Sequence, residues 1–303
     1  MLSKSNPGRR INGDNLVNFP RTILASALLA STALPATAAA TYVYVDTRGS
    51  DANSCLTIDM PCKTITRAAL LAQPGWRIQV AAGTYCENIK ITKSGTPGYG
   101  KIALLSLNGP KPIVNASCAD PSKPALEITA SNFYIIGNMT FTGSTGDGVY
   151  VHGVDSAHPA TGNRIDQSVI FNNGGRNLVI GPYADHFILG YGRVWGAGGK
   201  DIMIDRSPYW DIHDMNIYQA GPSLAPATGT YVTLSPNGNY EGNDGKENLV
   251  NPNLDLEKSP FTNVENNAPG VANGGKCAGT FTYIVNPPSD FATDTFANND
   301  CTP

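Results

Sequence analysis

The sequence predicts an all-β solenoid, on three observations. First, a motif repeats: Gly174-Gly175-Arg176-Asn177-Leu178-Val179-Ile180 returns 24 residues later as Gly198-Gly199-Lys200-Asp201-Ile202-Met203-Ile204. Phe171 is followed by Trp195, and His186 by Trp210, at the same 24-residue step. Second, apolar and polar residues alternate over short runs, the period of a strand with one buried face. Third, the 303 residues include 32 Gly and only 15% charged residues, a composition suited to many turns. A fixed period in the twenties, built from short alternations and Gly/Asn turns, means stacked coils of one architecture.

The ends and totals bound the rest. Residues 1–40 read as a signal peptide: Arg9, Arg10 and Arg21 precede an apolar run, Thr22 to Leu34. Ala36-Thr37-Ala38 or Ala38-Ala39-Ala40 supplies the small residues of a cleavage site. That run is too short to span a bilayer, and no other segment could. The expectation is a secreted protein, extracellular or periplasmic, and a monomer. A net charge of -3 gives no basic footprint for nucleic acid. Six cysteines remain beyond the signal, an even number in an oxidising compartment. Sequence proximity suggests Cys55–Cys62, Cys86–Cys118 and Cys277–Cys301, one of 15 possible pairings.

Residues 41–240 carry the elements. Thr41 to Asp46 alternates as a strand, and Gly49-Ser50-Asp51 turns the chain. Thr64 to Ala72 reads as a short helix, with Ile65, Ala68, Ala69 and Ala72 on one face; Pro74-Gly75 ends it. Arg77 to Ala81 is a strand, Gly83-Thr84-Tyr85 a turn, and Glu87 to Ile91 the next strand.

Within this stretch lie Asp46-Thr-Arg-Gly-Ser-Asp51, Pro61-Cys-Lys-Thr-Ile65, Gln73-Pro-Gly75, Ala82-Gly-Thr-Tyr85 and Glu87-Asn88-Ile89. Together they resemble the N-terminal cap of secreted right-handed parallel β-helix proteins, pectate-lyase-like and similar to polysaccharide lyase family nine. The resemblance covers about residues 42–110 closely and continues as coil pattern to about 236. It implies a parallel β-helix of about eight coils, with the short helix plugging its open end. It also implies β-elimination on an acidic (uronate) polysaccharide, with Ca²⁺ as cofactor. The physics agrees with a cap, because an end coil exposes apolar core and unpaired strand edges.

Five coils align on a shared strand: Ala125–Thr129, Gly148–His152, Asn177–Gly181, Asp201–Asp205 and Tyr231–Ser235. Alternation then points Leu126, Ile128, Val149, Val151, Leu178, Ile180, Ile202, Ile204, Val232 and Leu234 inward. Outward ladders follow. One holds Ala125, Gly148, Asn177, Asp201 and Tyr231. The next holds Glu127, Tyr150, Val179, Met203 and Thr233, and the third Thr129, His152, Gly181, Asp205 and Ser235. Pro124, Asp147, Arg176, Lys200 and Thr230 precede the strand as a fourth. After 240 the pattern fails, and residues 241–303 read as an irregular, loop-rich segment.

The ladders gather a candidate site. β-Elimination needs a positive charge to stabilise the enolate-like intermediate and a base for the proton beside the carboxylate. Lys200 is the candidate base, with Arg176 beside it to lower its pKa. Asp147, Asp201 and Asp205 are candidate Ca²⁺ ligands, since Ca²⁺ takes several oxygens. Tyr150, His152, Tyr231 and Glu127 are candidate substrate contacts. The family's own motifs are not matched: of its calcium aspartates only Asp201 has a counterpart, and Tyr150 stands where its base would be. Two other readings are a non-catalytic carbohydrate-binding protein and a glycoside hydrolase or uronate epimerase using Glu127 with Asp147 or Asp205.

Overall fold

The computed structural model describes residues 41–218, 229–241, 243, 254–259, 262–265 and 267, with the backbone of short strands at 271–272, 276–277, 283–286 and 295–297. The expected signal peptide and Cys277–Cys301 bridge lie outside these residues. Parallel sheets of ten, eight and six strands wrap one core. A single coil visits each sheet in turn: Leu126–Thr129 in the eight-stranded, Tyr134–Gly137 in the ten-stranded, Thr140–Thr142 in the six-stranded. The next coil begins at Val149–His152 in register with the first, Val149 beside Leu126. This is a parallel β-solenoid of about six turns. The count is slightly below the expected eight; among the described residues the smallest sheet holds six strands.

The N-terminal helix forms as its sequence dictates. It spans Ile65–Leu71, with Thr64 as N-cap accepting from the Arg67 N–H at 3.1 Å. Ile65, Ala68, Ala69 and Ala72 are all buried. The motif residues behind the family resemblance hold this cap in place. Asp51 accepts from the Lys63 and Thr64 N–H groups, each at 2.9 Å. Glu87 accepts from the Ile65 and Thr66 N–H groups at 2.8 and 2.9 Å. Those donors are orphans at a helix N-terminus, where a carboxylate is also favoured by the helix dipole. Thr84–Tyr85, expected as a turn, is a short strand pairing with Ile113–Val114. Disulfides join Cys55 to Cys62 and Cys86 to Cys118.

The Gly-Gly repeat has a steric cause. A Cβ on Gly198 would lie 2.0 Å from the Gly174 carbonyl oxygen, and one on Gly174 would lie 2.4 Å from that of Thr145. Only glycine lets these turns stack so closely. Elsewhere the coils turn through left-handed residues that also stack. Phe133, Gly162, His186, Tyr209 and Asn237, one per coil, have φ between 51° and 67°. The first four donate their N–H to the next coil, as His186 does to Pro208 O at 3.3 Å.

Three expectations are corrected. The coil at Tyr231 pairs two residues away from the expected register: Ile202 faces Thr230, and Met203 faces Tyr231. A shift of two keeps every side chain on its own face, so Val232 remains buried and Thr230 becomes so. Leu234 instead turns out at a left-handed residue and is 47% exposed. Second, residues beyond 240 carry strands of the same sheets. Leu254–Glu257 pairs with Thr230–Thr233, and Asn263–Glu265 with Asn239–Glu241. Buried Leu254, Leu256 and Val264 continue the core. Buried polar side chains bind coil to coil there: Asn267 Oδ1 accepts from the Asn243 N–H at 2.9 Å, and Ser259 Oγ from the Ser235 N–H at 3.0 Å.

Third, Ala125, Gly148, Asn177 and Asp201 face inward. Asn177 and Asp201 are 0% and 2% exposed. They belong to a hydrogen-bonded ladder inside a corner. Asn173 Nδ2 donates to Asn177 Oδ1 and Asn177 Nδ2 to Asp201 Oδ1, both at 2.8 Å, and the Ala197 N–H reaches Asp201 at 3.2 Å. Burial pushes the Asp201 carboxyl up to about 7, against the hydrogen bonds from Asn177 and Ala197. A folded-state pKa above the unfolded one makes the folded state hold the proton longer. Asp201 therefore supports the fold fully below its unfolded pKa of 3.8 and loses that support as pH rises through about 7. Asp201→Asn removes the titration. Its stability relative to wild type should rise between pH 4 and 7 by up to about 1.4 kcal/mol per pH unit. Urea melts of both proteins at several pH values measure this, and a pH-independent difference would refute it.

Candidate functional site

The outer face of the eight-stranded sheet collects the candidate residues. Its central ladder runs Lys90, Glu127, Tyr150, Val179, Met203 and Tyr231, each a direct neighbour of the next. Thr129 and His152 stand side by side two positions further along, as do Asp205 and Thr233. These residues point outward because the alternate positions, Ile128, Val151, Ile180 and Ile204 among them, fill the core.

Glu127, Thr129 and His152 form one cluster. Glu127 Oε1 accepts from Thr129 Oγ1 at 2.8 Å and from Lys90 Nζ at 3.3 Å, and lies 3.2 Å from His152 Nε2. His152 Nδ1 donates to the Gly153 carbonyl at 2.8 Å, since a carbonyl can only accept. Burial acts to raise the Glu127 carboxyl, but the bonds from Thr129, His152 and Lys90 outweigh it and hold the group below its ordinary value. An ionised Glu127 suits an electrostatic or orienting role and not that of a general acid.

Tyr150 stacks on His152 with ring centroids 4.2 Å apart and 20° between planes. Its ring leans over the next coil at Gly181, where a Cβ would sit 2.7 Å from the Tyr150 ring. Burial, then the charges of Asp147, Asp205 and Glu127, raise its phenol above the ordinary value, against Arg176. Tyr150 is thus a neutral hydroxyl at neutral pH, ringed by one cation and three carboxylates.

Asp147 and Arg176 form a two-pronged pair across neighbouring coils, Nε to Oδ1 at 2.8 Å and Nη2 to Oδ2 at 2.6 Å. This bond is the main reason the guanidinium is held above its ordinary value. Arg176 Nη1 also meets Met203 Sδ at 2.7 Å. Lys200 turns the other way, with Nζ 3.0 Å from the centroid of the Tyr231 ring. The Arg176 guanidinium is thus paired with a carboxylate, and the Lys200 amine lies over an aromatic ring. Tyr231 in turn donates its hydroxyl to Glu257.

The expected calcium ligands do not converge. Asp201 is inside the corner, Asp147 grips Arg176, and Asp205 pairs with Arg206 at 2.8 Å. Among the described residues no three acidic, His or Cys side chains are grouped to hold a metal ion. Nor is any helix among them long and apolar enough to cross a membrane.

At the cap end the face opens into a cleft of about 640 Å³ lined by Thr64, Thr66, Glu87, Asn88, Lys90, Lys123 and Glu127, with Cys86, Ile89, Ala119 and Pro124. The sequence reading missed it. Ile89-Lys90-Ile91 repeats the alternation of Leu126-Glu127-Ile128, so extending the ladder one coil toward the cap would have found Lys90. Nothing local signals Lys123, which stands in a loop.

Fold and face together define a parallel β-helix protein with a polar, aromatic-bearing outer sheet. A family model described as "Protein of unknown function (DUF1565)" matches residues 47–92. No curated protein matches the sequence. Among solved structures, XylC in complex with xylose is similar at TM-score 0.56 and 11% identity over 74% of this chain. This chain spans 65% of that protein's length. The pectate lyase Pel9A is similar at TM-score 0.53 and 13% identity, over 86% of this chain and 81% of that one. An alginate lyase from Paenibacillus sp. gives TM-score 0.52 and 14% identity, over 86% and 99%. At such identities the likeness is one of fold.

The contact between Gly181 and Tyr150 can be measured. Gly181→Val should cost about 1–3 kcal/mol through overpacking against the ring. In a Tyr150→Ala background most of that cost should vanish, because the ring that must move is gone. Urea melts of both single variants and the double give the coupling; strictly additive costs would show that the two do not meet.

Proposed function

We propose that this protein binds an extended acidic polysaccharide along the outer face of the eight-stranded sheet and cleaves it by β-elimination. The observation that carries the reading is the surround of Tyr150: a protonated phenol flanked by Arg176, with Glu127, Asp147 and Asp205 nearby. Arg176 gives three of its N–H donors to Asp147 and Met203. Of five on a guanidinium, the rest are free to meet a sugar carboxylate and the charge that develops on it. The Tyr150 hydroxyl can give a proton to a departing glycosidic oxygen. Lys200 remains the proposed base: drawn from the Tyr231 ring by a bound chain, its neutral amine form would take the proton beside the carboxylate. Pectate and alginate lyases among the solved structures that share the fold support the substrate class.

A second reading, a binding protein without catalysis, is favoured by one observation: Arg176 and Lys200 are both engaged within the sheet. One assay separates the two. The protein is incubated with polygalacturonate and with alginate, and the ultraviolet absorbance of an unsaturated product is followed. The expected result is a rise in absorbance that Tyr150→Phe and Lys200→Ala each slow by about 10²-fold or more. Retained binding with no absorbance on either polymer would move the conclusion to the second reading.

A further inference from the structure

We propose that the cleft at the cap end is a chain-end subsite, holding the terminal uronate of the polysaccharide bound along the face. This rests on the polysaccharide reading above and extends it from a face to a mode of engagement. A volume of about 640 Å³ lies in the range of ligand sites. The strand Ile89–Ile91 is the last of the eight-stranded sheet. Beyond it stands the cap helix, whose first turn contributes Thr66 to the cleft beside the N-cap Thr64. A sugar chain following the ladder from Tyr150 past Glu127 and Lys90 leaves the sheet here, and the proposal places its end in the cleft.

The cleft is built rather than incidental. Asn88 fixes the loop wall: its Nδ2 reaches the Asp120, Lys123 and Pro124 carbonyls at 3.0, 3.3 and 3.0 Å, and its Oδ1 accepts from the Asp120 N–H at 2.9 Å. The Cys86–Cys118 disulfide ties the same loop to the floor. The lining sets two ammoniums, Lys90 and Lys123, against two carboxylates, Glu87 and Glu127, and the carboxylates are the more engaged. Both Glu87 oxygens are taken by the cap helix, and Glu127 Oε1 is taken by Thr129, His152 and Lys90. Lys90 and Lys123 pair with Glu127 and Asp120 at 3.3 and 2.9 Å, yet their side chains are 56% and 65% exposed. An ammonium has three donors, so each lysine keeps capacity for a ligand oxygen.

Titration calorimetry with oligogalacturonate and oligoalginate hexamers tests this. Lys90→Met and Lys123→Met should each weaken binding by about tenfold, the loss of one charge-assisted bond. Hexamers with carboxyl-reduced, uncharged sugars should not distinguish these variants from wild type. Ala119→Trp, which fills the cleft without altering a charge, should weaken both kinds of ligand. Lysine variants that bind like wild type while Tyr150→Ala still weakens binding would overturn the subsite and leave the face standing. A wild-type protein that binds neither uronate would remove both.

Discussion

Everything in this molecule depends on parallel coils stacking at the spacing of β-strands, roughly 4.8 Å. That spacing turns residues some two dozen positions apart into direct neighbours, and it is demanding at the corners. At Gly174 and Gly198 the backbones come so close that no side chain fits between them. At the other turns, non-glycine residues such as Phe133, His186 and Tyr209 accept left-handed backbone, at a cost of order 1 kcal/mol each. The stack repays it because each strained residue places its N–H on the next coil's carbonyl. Inside, side chains carry the same logic. Asn173, Asn177 and Asp201 are buried polar groups that satisfy one another within a coil and across to the next, as such groups must away from water.

The same stacking builds the outer face. Glu127 meets Lys90 and His152 only because three coils are in register, and Asp147 meets Arg176 from the coil after it. Charges on a single strand two residues apart do not make such a network, whereas ladders assemble it from separate coils. Small changes of register would therefore rewrite the chemistry without altering the fold. The two-residue shift at Tyr231 illustrates this: it keeps Val232 in the core while moving the Tyr231 ring from beside Asp201 to beside Met203.

The architecture was legible in the sequence because periodicity and alternation are local signals. The cap helix, its buried face and the inward stack from Leu126 to Val232 all follow from them. The coils beyond 240 were hidden because their strands, no shorter than the earlier ones, sit between Asn-, Gly- and Pro-rich stretches that obscure the period. Faces were harder than strands. Alternation suggests that Asn177 and Asp201 point out, yet the corner turns them inward, where a ladder of amides and a carboxyl can satisfy itself. Pairing was harder still. Sequence places Arg176 and Lys200 one coil apart, but which neighbour each side chain chooses depends on rotamers. Arg176 takes the bidentate carboxylate behind it, and Lys200 takes the ring ahead.

The family motif deserves a different weight from the face. Asp51, Thr64 and Glu87 are spent on backbone N–H groups and a hydroxyl that hold the cap helix against the first coil. A match over residues 47–92 thus detects the device that closes a β-helix, and closing the solenoid is a need shared by scaffolds of many activities. Apart from Lys90, the residues of the outer face lie on later coils, beyond that match. Their geometry narrows the chemistry further. A Glu127 kept ionised and a Tyr150 kept protonated assign acceptor and donor roles in opposite senses on adjacent rungs. On the proposed reading, an anionic sugar laid across them would meet hydrogen-bond donors at Tyr150, Arg176 and Lys90, and acceptors for its hydroxyls at Glu127 and Asp205.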